Sequence, residues 1–579
     1  MIEHNAPLQE ALLKPRQVRA FDRVESYVQN LRAGDRFVWY VLGGLVCITS
    51  IVSLFALERS VLIKVPAYGG SLTEGELGSP RFVNPLLAIS DADRDLAALT
   101  YAGLMGLSDD GTVRPVLAEN YTVSQDGKQY TVTLRPNAVF SDGTQVRADD
   151  VVFTIQKAQD PALKSPVYAD WSGVSAEVVD ARTIRFTLAK PYAPFLQNLT
   201  LGILPERLWS GISNEEFPFS TLETDPLGAG PFKVASISRD ASGLITSYTL
   251  VRNSRYVLGK PYLSEIRFVF FSRAEDIALA LAKGSIDSAY GIPHENAVQA
   301  PYARVFGVFF NPNQNQIFTH LEVRKALSIA INRAAIVEGA LGGYATPLMG
   351  PVPPGSGITE TPVATSSDPI AAAAAILTTN GWTYDGTTRV WKKGKETLDA
   401  LVIKTSNVPE LKATATAVKA DWEKLGIATD IELYEPGDLN QNVIRPRKYG
   451  ALLFGMVIGR DQDLYAFWDS QERNDPGLNI AMYTNKTVDD LLEKARQTSD
   501  PKERLAALQK VNDLVAADYP AAFTEAPDFI YAVPPKLKGV ALPQIATPSD
   551  RFATVEQWYL ETDAVWPFLA RGIDTSVGK

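Results

Sequence analysis

The chain has 579 residues, 46% of them hydrophobic and 21% charged, a globular balance with room for about two to four domains. Its net charge of −10 argues against a broad polyanion-binding surface, so no nucleic-acid partner is expected. A single cysteine, Cys47, excludes an internal disulfide framework and a cysteine-based zinc site, and the three histidines, His4, His294 and His320, stand far apart.

The first predicted element is FVWYVLGGLVCITSIVSLFAL at 37–57, a run of 21 residues without a charge. At 1.5 Å per residue such a helix spans about 31 Å, close to the hydrocarbon thickness of a bilayer. Trp39 and Tyr40 suit an interfacial belt. The run is too long for a signal-peptide apolar region, and LFALERS offers no small-x-small cleavage site. The residues before Cys47 (Gly44, Leu45, Val46) match a lipid-attachment pattern poorly. Arg19, Arg23, Arg32 and Arg36 precede the run, against only Arg59 and Lys64 just after it, which places residues 1–36 in the cytoplasm. Residues 1–36 carry six basic and five acidic side chains, so the outward part is acidic, at −11.

Beyond the anchor, QYTVTLRP at 129–136 and RTIRFTLAKP at 182–191 alternate apolar and polar residues and predict strands, with Asp142-Gly143 as a turn. GLITSYTLVRN (243–253) and SEIRFVFFS (264–272) read the same way. ALALAKGSID (278–287) suits a helix closed by Gly284. LEVRKALSIAINRAAIVEGALGG (321–343) predicts one helix stopped by Gly342-Gly343. The breakers of 345–369 predict a loop. Asp368 and Pro369 then open a helix, and KATATAVKADWEKLGI (412–427) predicts another. Thr487–Asp490 reads as a capping box for LLEKARQ, and Asp500-Pro501 starts a last helix that Pro520 ends. Strands and helices interleave throughout, which gives a mixed α/β class with more than one lobe.

Chemical signatures are scarce. HENAV (294–298) lacks the second histidine of a zinc helix, and no nucleophile elbow, phosphate loop or dinucleotide fingerprint occurs. Acidic pairs such as Asp149-Asp150 and Asp489-Asp490 sit at helix starts, where the helix dipole accounts for them. No enzyme and no cofactor are expected; binding without chemistry is what remains.

Several stretches, in order, carry a resemblance. They are RFVNPLLAISDADRDLAALTYAGL (81–104), PVLAENYTVSQDGKQYTVTLRPNAVFSDGTQVRADDVVFTI (115–155), KPYAPFLQNLTLGILP (190–205), DPLGAGPFKV (225–234), LAKGSIDSAYGI (281–292), VRKALSIAINRAAIVEGALGG (323–343), DQDLYAFWDS (461–470) and LNIAMYTNKTVDDLLEKAR (478–496). Together they resemble the family 5 extracellular solute-binding proteins of bacterial ABC importers, which include oligopeptide, dipeptide and nickel binders. The resemblance implies a two-lobed periplasmic-binding-protein-like fold with an inserted subdomain in lobe one, preceded by one transmembrane helix. The expected order is a cytoplasmic segment 1–36, an anchor 37–57, lobe one over 61–96 and 211–302 with its inserted subdomain at 97–210, lobe two over 303–530, and a lobe-one return with a C-terminal tail at 531–579. It further implies a monomer that closes on a peptide or other small solute, a sugar or metal chelate being the alternative, and hands it to ABC permease subunits. A peptide-holding chaperone or sensor is a third reading.

The resemblance places 455–470 on the cleft side of lobe two. Tyr465 and Trp468 would wall the cleft, and Asp461 or Asp463 would face a cationic group such as a terminal amine. Arg460 stands about where peptide binders carry an acid, and Gln462 where proline is usual, so that either the acid has shifted to Asp461 or the cleft prefers a carboxylate or neutral group. Phe310 and Asn311 are expected beside the cleft, Asn479 and Tyr483 at its rim. Gly228 and Gly230 are read as tight-turn glycines with a backbone role.

Overall fold

The computed structural model describes residues 19–359, 362 and 366–566. The expectations for 1–18, for 360, 361 and 363–365 of the breaker loop, and for the tail 567–579 lie outside the described residues. Two compact units divide the chain. One comprises the N-terminal segment to Pro66 with the C-terminal residues from Thr562, and the other is Ala67–Glu561.

In the first unit a short helix, Arg19–Gln29, precedes α1, Ala33–Val61. The stretch Ala33–Leu54 is long and apolar enough to cross a membrane, and none of its most apolar window is buried by protein. An apolar helix with no apolar partner surface is what a membrane or a translocation signal calls for.

The second unit holds the folded body. Its first strand, β1 (Ser71–Leu77), leads into α2 (Asp91–Thr100), which Ser90 and Asp93 cap reciprocally. The chain then makes an antiparallel sheet of β2 (Ala118–Val123), β3 (Gln129–Leu134), β4 (Val174–Asp180) and β5 (Thr183–Leu188), in the order β2-β3-β5-β4. The predicted alternation is realised here: Tyr130, Val132 and Leu134, and Ile184, Phe186 and Leu188, point into one core with Trp171 and Phe195. β6 (Phe232–Arg239), β7 (Ile245–Arg252) and β8 (Glu265–Phe271) return to β1 in a sheet ordered β1-β8-β7-β6. Its core joins Leu72, Tyr248 and Ile266 to Phe529 and Trp558, so the beginning and end of this unit share lobe one.

Lobe two is built on a five-stranded sheet. β9 (Ala297–Pro301) belongs to lobe one, and β10 (Arg304–Phe310) enters the new sheet. The predicted single helix over 321–343 is two, Leu321–Ile329 and α3 (Arg333–Leu341). The break has a local cause: the Asn332 side chain accepts from Ala335 N at 3.1 Å and caps a fresh start. Gly342 does end α3, with φ of 60°. β11 (Leu401–Ser406), α4 (Pro409–Lys424), β12 (Thr429–Tyr434) and β13 (Ala451–Val457) follow, then α5 (Lys486–Gln497), β14 (Ala521–Phe523) and β15 (Glu525–Ala532). Sheet order is β12-β11-β13-β10-β14. Both faces are buried, Val305, Phe309 and Leu452 on one side and Val308, Phe310 and Leu453 on the other. That is why these strands read as unbroken apolar runs. α5 is capped by Asn485, two residues before the predicted Thr487, because its Oδ1 accepts from Thr487 N and Val488 N. Gly228 and Gly230 do serve the backbone, but by close approach and not by turn conformation. A Cβ on Gly228 would stand 2.2 Å from Thr100 O, and one on Gly230 2.5 Å from Leu99 O.

Candidate ligand-binding cleft

The chain crosses between the lobes twice, from β9 to β10 near Tyr302–Ala303 and from β14 to β15 at Thr524. β15 pairs with β9 in lobe one, whereas β14 pairs with β10 in lobe two. The crossings touch, Thr524 N donating to Phe306 O at 2.9 Å. Two adjacent strands as the only links described here make a hinge: small φ/ψ changes at one or two residues swing one cored body against the other.

Across the gap three sets of polar contacts meet. Tyr192, in the inserted β-rich region, donates toward Asp461 Oδ2 and Asp463 Oδ2, each at 3.4 Å. Ala193 N donates to Arg496 O on α5 at 2.7 Å. The Arg496 guanidinium forms an ion pair with Asp463 at 2.7 Å and lies 3.8 Å from the Tyr465 ring centre, so it is both paired and stacked. Burial and the neighbouring Asp463 push the Asp461 carboxyl up, and burial with both aspartates pushes the Tyr192 hydroxyl up, which keeps it a donor. On the other flank Arg460 forms an ion pair with Asp550 of lobe one, and its Nε donates to Gln544 O at 3.3 Å. Asp550 is already fixed, accepting from Ala546 N at 2.8 Å, Thr547 N at 2.7 Å and Thr547 Oγ1 at 3.0 Å.

Four sequence-predicted residues, Arg460, Asp461, Asp463 and Tyr465, thus come together where the lobes meet. Both aspartates and Arg460 engage protein partners, not an open anion or cation site.

The other five take up positions inside lobe two, which corrects the expectation that they wall or rim the gap. Trp468 has 0% exposure and packs against Phe309, Tyr483 and Phe523. Its short helix, Tyr465–Trp468, turns the indole inward and leaves Tyr465 half-buried at the edge of the same core. Phe310 packs tilted against Phe318, ring centres 4.7 Å apart, and Asn311 donates to Arg447 O at 3.1 Å. Asn479 bridges Asp469 O and Tyr483 O, at 3.0 Å each, and the Tyr483 hydroxyl donates to Asp518 at 2.6 Å. These are loop-fixing bonds within one lobe.

Sequence reasoning missed Tyr192, Arg496 and Asp550, which lie far from 455–470 in the chain. It also missed a cavity of about 280 Å³ at the root of the hinge, lined by Tyr302, Arg304 and Phe306 of the first crossing and Glu525 and Asp528 of the second, with the start of α4. One signal was available: Glu525 interrupts the apolar stretch AAFTEAPDFIYAV. A second cavity, of about 350 Å³, is lined by Arg94, Tyr101, Tyr256 and Asp550, with no residue of lobe two.

Two separately cored lobes, a pair of crossing strands and charged side chains meeting over the gap define a hinge-closing solute receptor. Residues 112–476, well over half of the chain, match the model of the bacterial extracellular solute-binding proteins, family 5 middle region, and the chain belongs to that family. The glutathione-binding protein GsiB of Escherichia coli (strain K12) is 28% identical over 459 residues, covering 76% of this chain and 85% of its own length. Among solved structures, the ABC transporter substrate-binding protein CtaP of Listeria monocytogenes is similar at a TM-score of 0.71 and 26% identity, covering 85% of this chain and 100% of that one. The periplasmic binding protein DppA of Helicobacter pylori, in complex with the peptide STSA, is similar at a TM-score of 0.65 and 25% identity, covering 86% and 99%.

Proposed function

We propose that this solute-binding protein is a monomeric receptor, anchored by Ala33–Leu54 with its N-terminus in the cytoplasm, that closes over peptides and delivers them to an ABC permease. The lobe limits given from sequence, with the insertion at 97–210 and lobe two at 303–530, are part of the proposal. The observation that carries it is the pairing of a two-strand hinge with fixed polar contacts on both flanks of one gap. A ligand that bridges the lobes gains hydrogen bonds in a site closed to water, where they are strongest. The peptide complex of DppA and the glutathione named for GsiB, itself a tripeptide-sized molecule, support the ligand class. An anchor would raise the concentration of receptor at a permease in the same membrane without added contact.

Thermal melts of the full-length protein in detergent against pools of short peptides test the reading. A shift with at least one pool is expected. No shift from any pool, beside a clear one from sugars or metal chelates, would replace it with the non-peptide reading.

A further inference from the structure

The cavity at the hinge root has a composition that the lobe contacts do not explain. Phe306, Leu341, Leu411 and Pro527 give it apolar walls, yet one basic residue, Arg304, and three acidic ones, Glu410, Glu525 and Asp528, line it with them. Glu525 is 2% exposed, and its Oε2 has no hydrogen-bond partner. Arg304 lines the same space; its Nε is buried without a partner, and its guanidinium carbon lies 4.1 Å from the Tyr302 ring centre. Among the described residues no ion pair within 4.0 Å joins Glu525 to Arg304, although both line one cavity.

The strand break at Thr524 makes this arrangement. Phe523 and Ala526 both face the lobe-two core, so the interruption between β14 and β15 turns Glu525 to the cavity side. The groups around Glu525 are few. The Thr414 and Thr524 hydroxyls and the more distant Arg333 ease its charge, but burial outweighs them and pushes the carboxyl up to about 7. Arg333 is committed elsewhere, donating to Leu348 O and Phe523 O at 2.7 and 2.8 Å. Asp528 and Glu410 add acidic groups at the cavity wall.

The Glu525 Oε2 and Arg304 Nε atoms, buried without a well-formed hydrogen bond and in no ion pair with each other within 4.0 Å, are each costly unless a ligand joins them. A lone cation would leave Arg304 unanswered, and a lone anion would meet Glu525 and Asp528. The volume, just under the roughly 300 Å³ at which small-molecule sites begin, admits one residue-sized group. We propose that this cavity is a subsite for a zwitterionic head, an ammonium set at Glu525 and Asp528 and a carboxylate set at Arg304, carried on one small apolar-bodied group such as the end of an amino acid. The inference rests on the solute-receptor reading above and narrows its ligand class.

Calorimetric titration of the full-length protein in detergent with L-leucine, N-acetyl-L-leucine and L-leucinamide tests it. L-leucine should bind, and each blocked form should bind at least tenfold more weakly. Glu525→Gln should erase the preference over N-acetyl-L-leucine, and Arg304→Met the preference over L-leucinamide, with melts confirming that each variant folds. Should Arg304→Met not fold, Glu525→Gln, near-isosteric with the protonated carboxyl, decides alone. No binding of L-leucine at tens of millimolar, or preferences unchanged in the folded variants, overturns the subsite. Peptide pools run in parallel separate the two ideas. A response to pools with none to L-leucine removes the subsite and leaves the peptide receptor, whereas a Glu525-dependent response to L-leucine with none to any pool does the reverse.

Discussion

Replacing Arg460 by methionine should open the molecule without unfolding it. The Arg460–Asp550 ion pair links lobe two to lobe one, with side chains only 9% and 15% exposed, so water and salt screen it little. A shielded ion pair together with the Arg460 Nε bond to Gln544 O of lobe one contributes about 1.5–3 kcal/mol. Asp550 keeps its three hydrogen bonds from Ala546 and Thr547 in the variant, so lobe one loses no internal contact. The whole loss therefore falls on the closed arrangement, and at about 1.4 kcal/mol per factor of ten the open population should rise some 10- to 100-fold. Single-molecule energy transfer between dyes at Glu177→Cys and Lys486→Cys, in a Cys47→Ser background, reads the two populations. Asp550→Asn should act in the same direction, and the double variant should cost clearly less than the sum, since both remove one interaction. Unchanged populations in Arg460→Met, or strictly additive effects, would refute the reasoning.

Trp468→Ala should lower stability by about 3–5 kcal/mol in urea melts, because it empties a fully buried site against Phe309, Tyr483 and Phe523. Arg551→Met should cost about 3–5 kcal/mol by the same assay, since it strands Glu74, Glu76 and Asp95 around a guanidinium with no exposed surface. Burial holds the Glu223 carboxyl up at about 8, although Asn84 donates a hydrogen bond to it at 3.1 Å, so the folded state binds its proton more tightly than the unfolded chain does. Its contribution is present below the unfolded value near 4.5 and is lost as pH rises through about 8. Between those limits Glu223→Gln should gain on the wild type by up to about 1.4 kcal/mol per pH unit in melts recorded from pH 5 to 8.

The sequence made the elements with a single amphipathic period plain: β3 and β5 alternate as read, and Asp368 and Asp500 cap the helices expected of them. Boundaries set by a local hydrogen bond were not plain. Asn332 splits one apolar helical run into two, and Asn485 takes the cap from Thr487, because its side-chain oxygen accepts from Thr487 N and Val488 N and starts the helix two residues sooner. The site was legible in half. Asp461, Asp463 and Tyr465 reach the lobe contact because their loop faces it, but the same four-residue helix that leaves Tyr465 half-buried at that contact buries Trp468 entirely, and composition alone does not distinguish the two rings. Partners such as Tyr192, 269 residues from Asp461 along the chain, come into view only when the lobes are folded together.

The most direct test of a solute held between two hinged lobes is amide hydrogen exchange of the full-length protein, with and without a ligand that raises its melting temperature. The account predicts joint protection of 190–196, 302–306, 408–411, 458–465 and 523–528, from both lobes and the hinge at once. Protection confined to one lobe, or to the lobe-one cavity bounded by Arg94 and Tyr256, would contradict it.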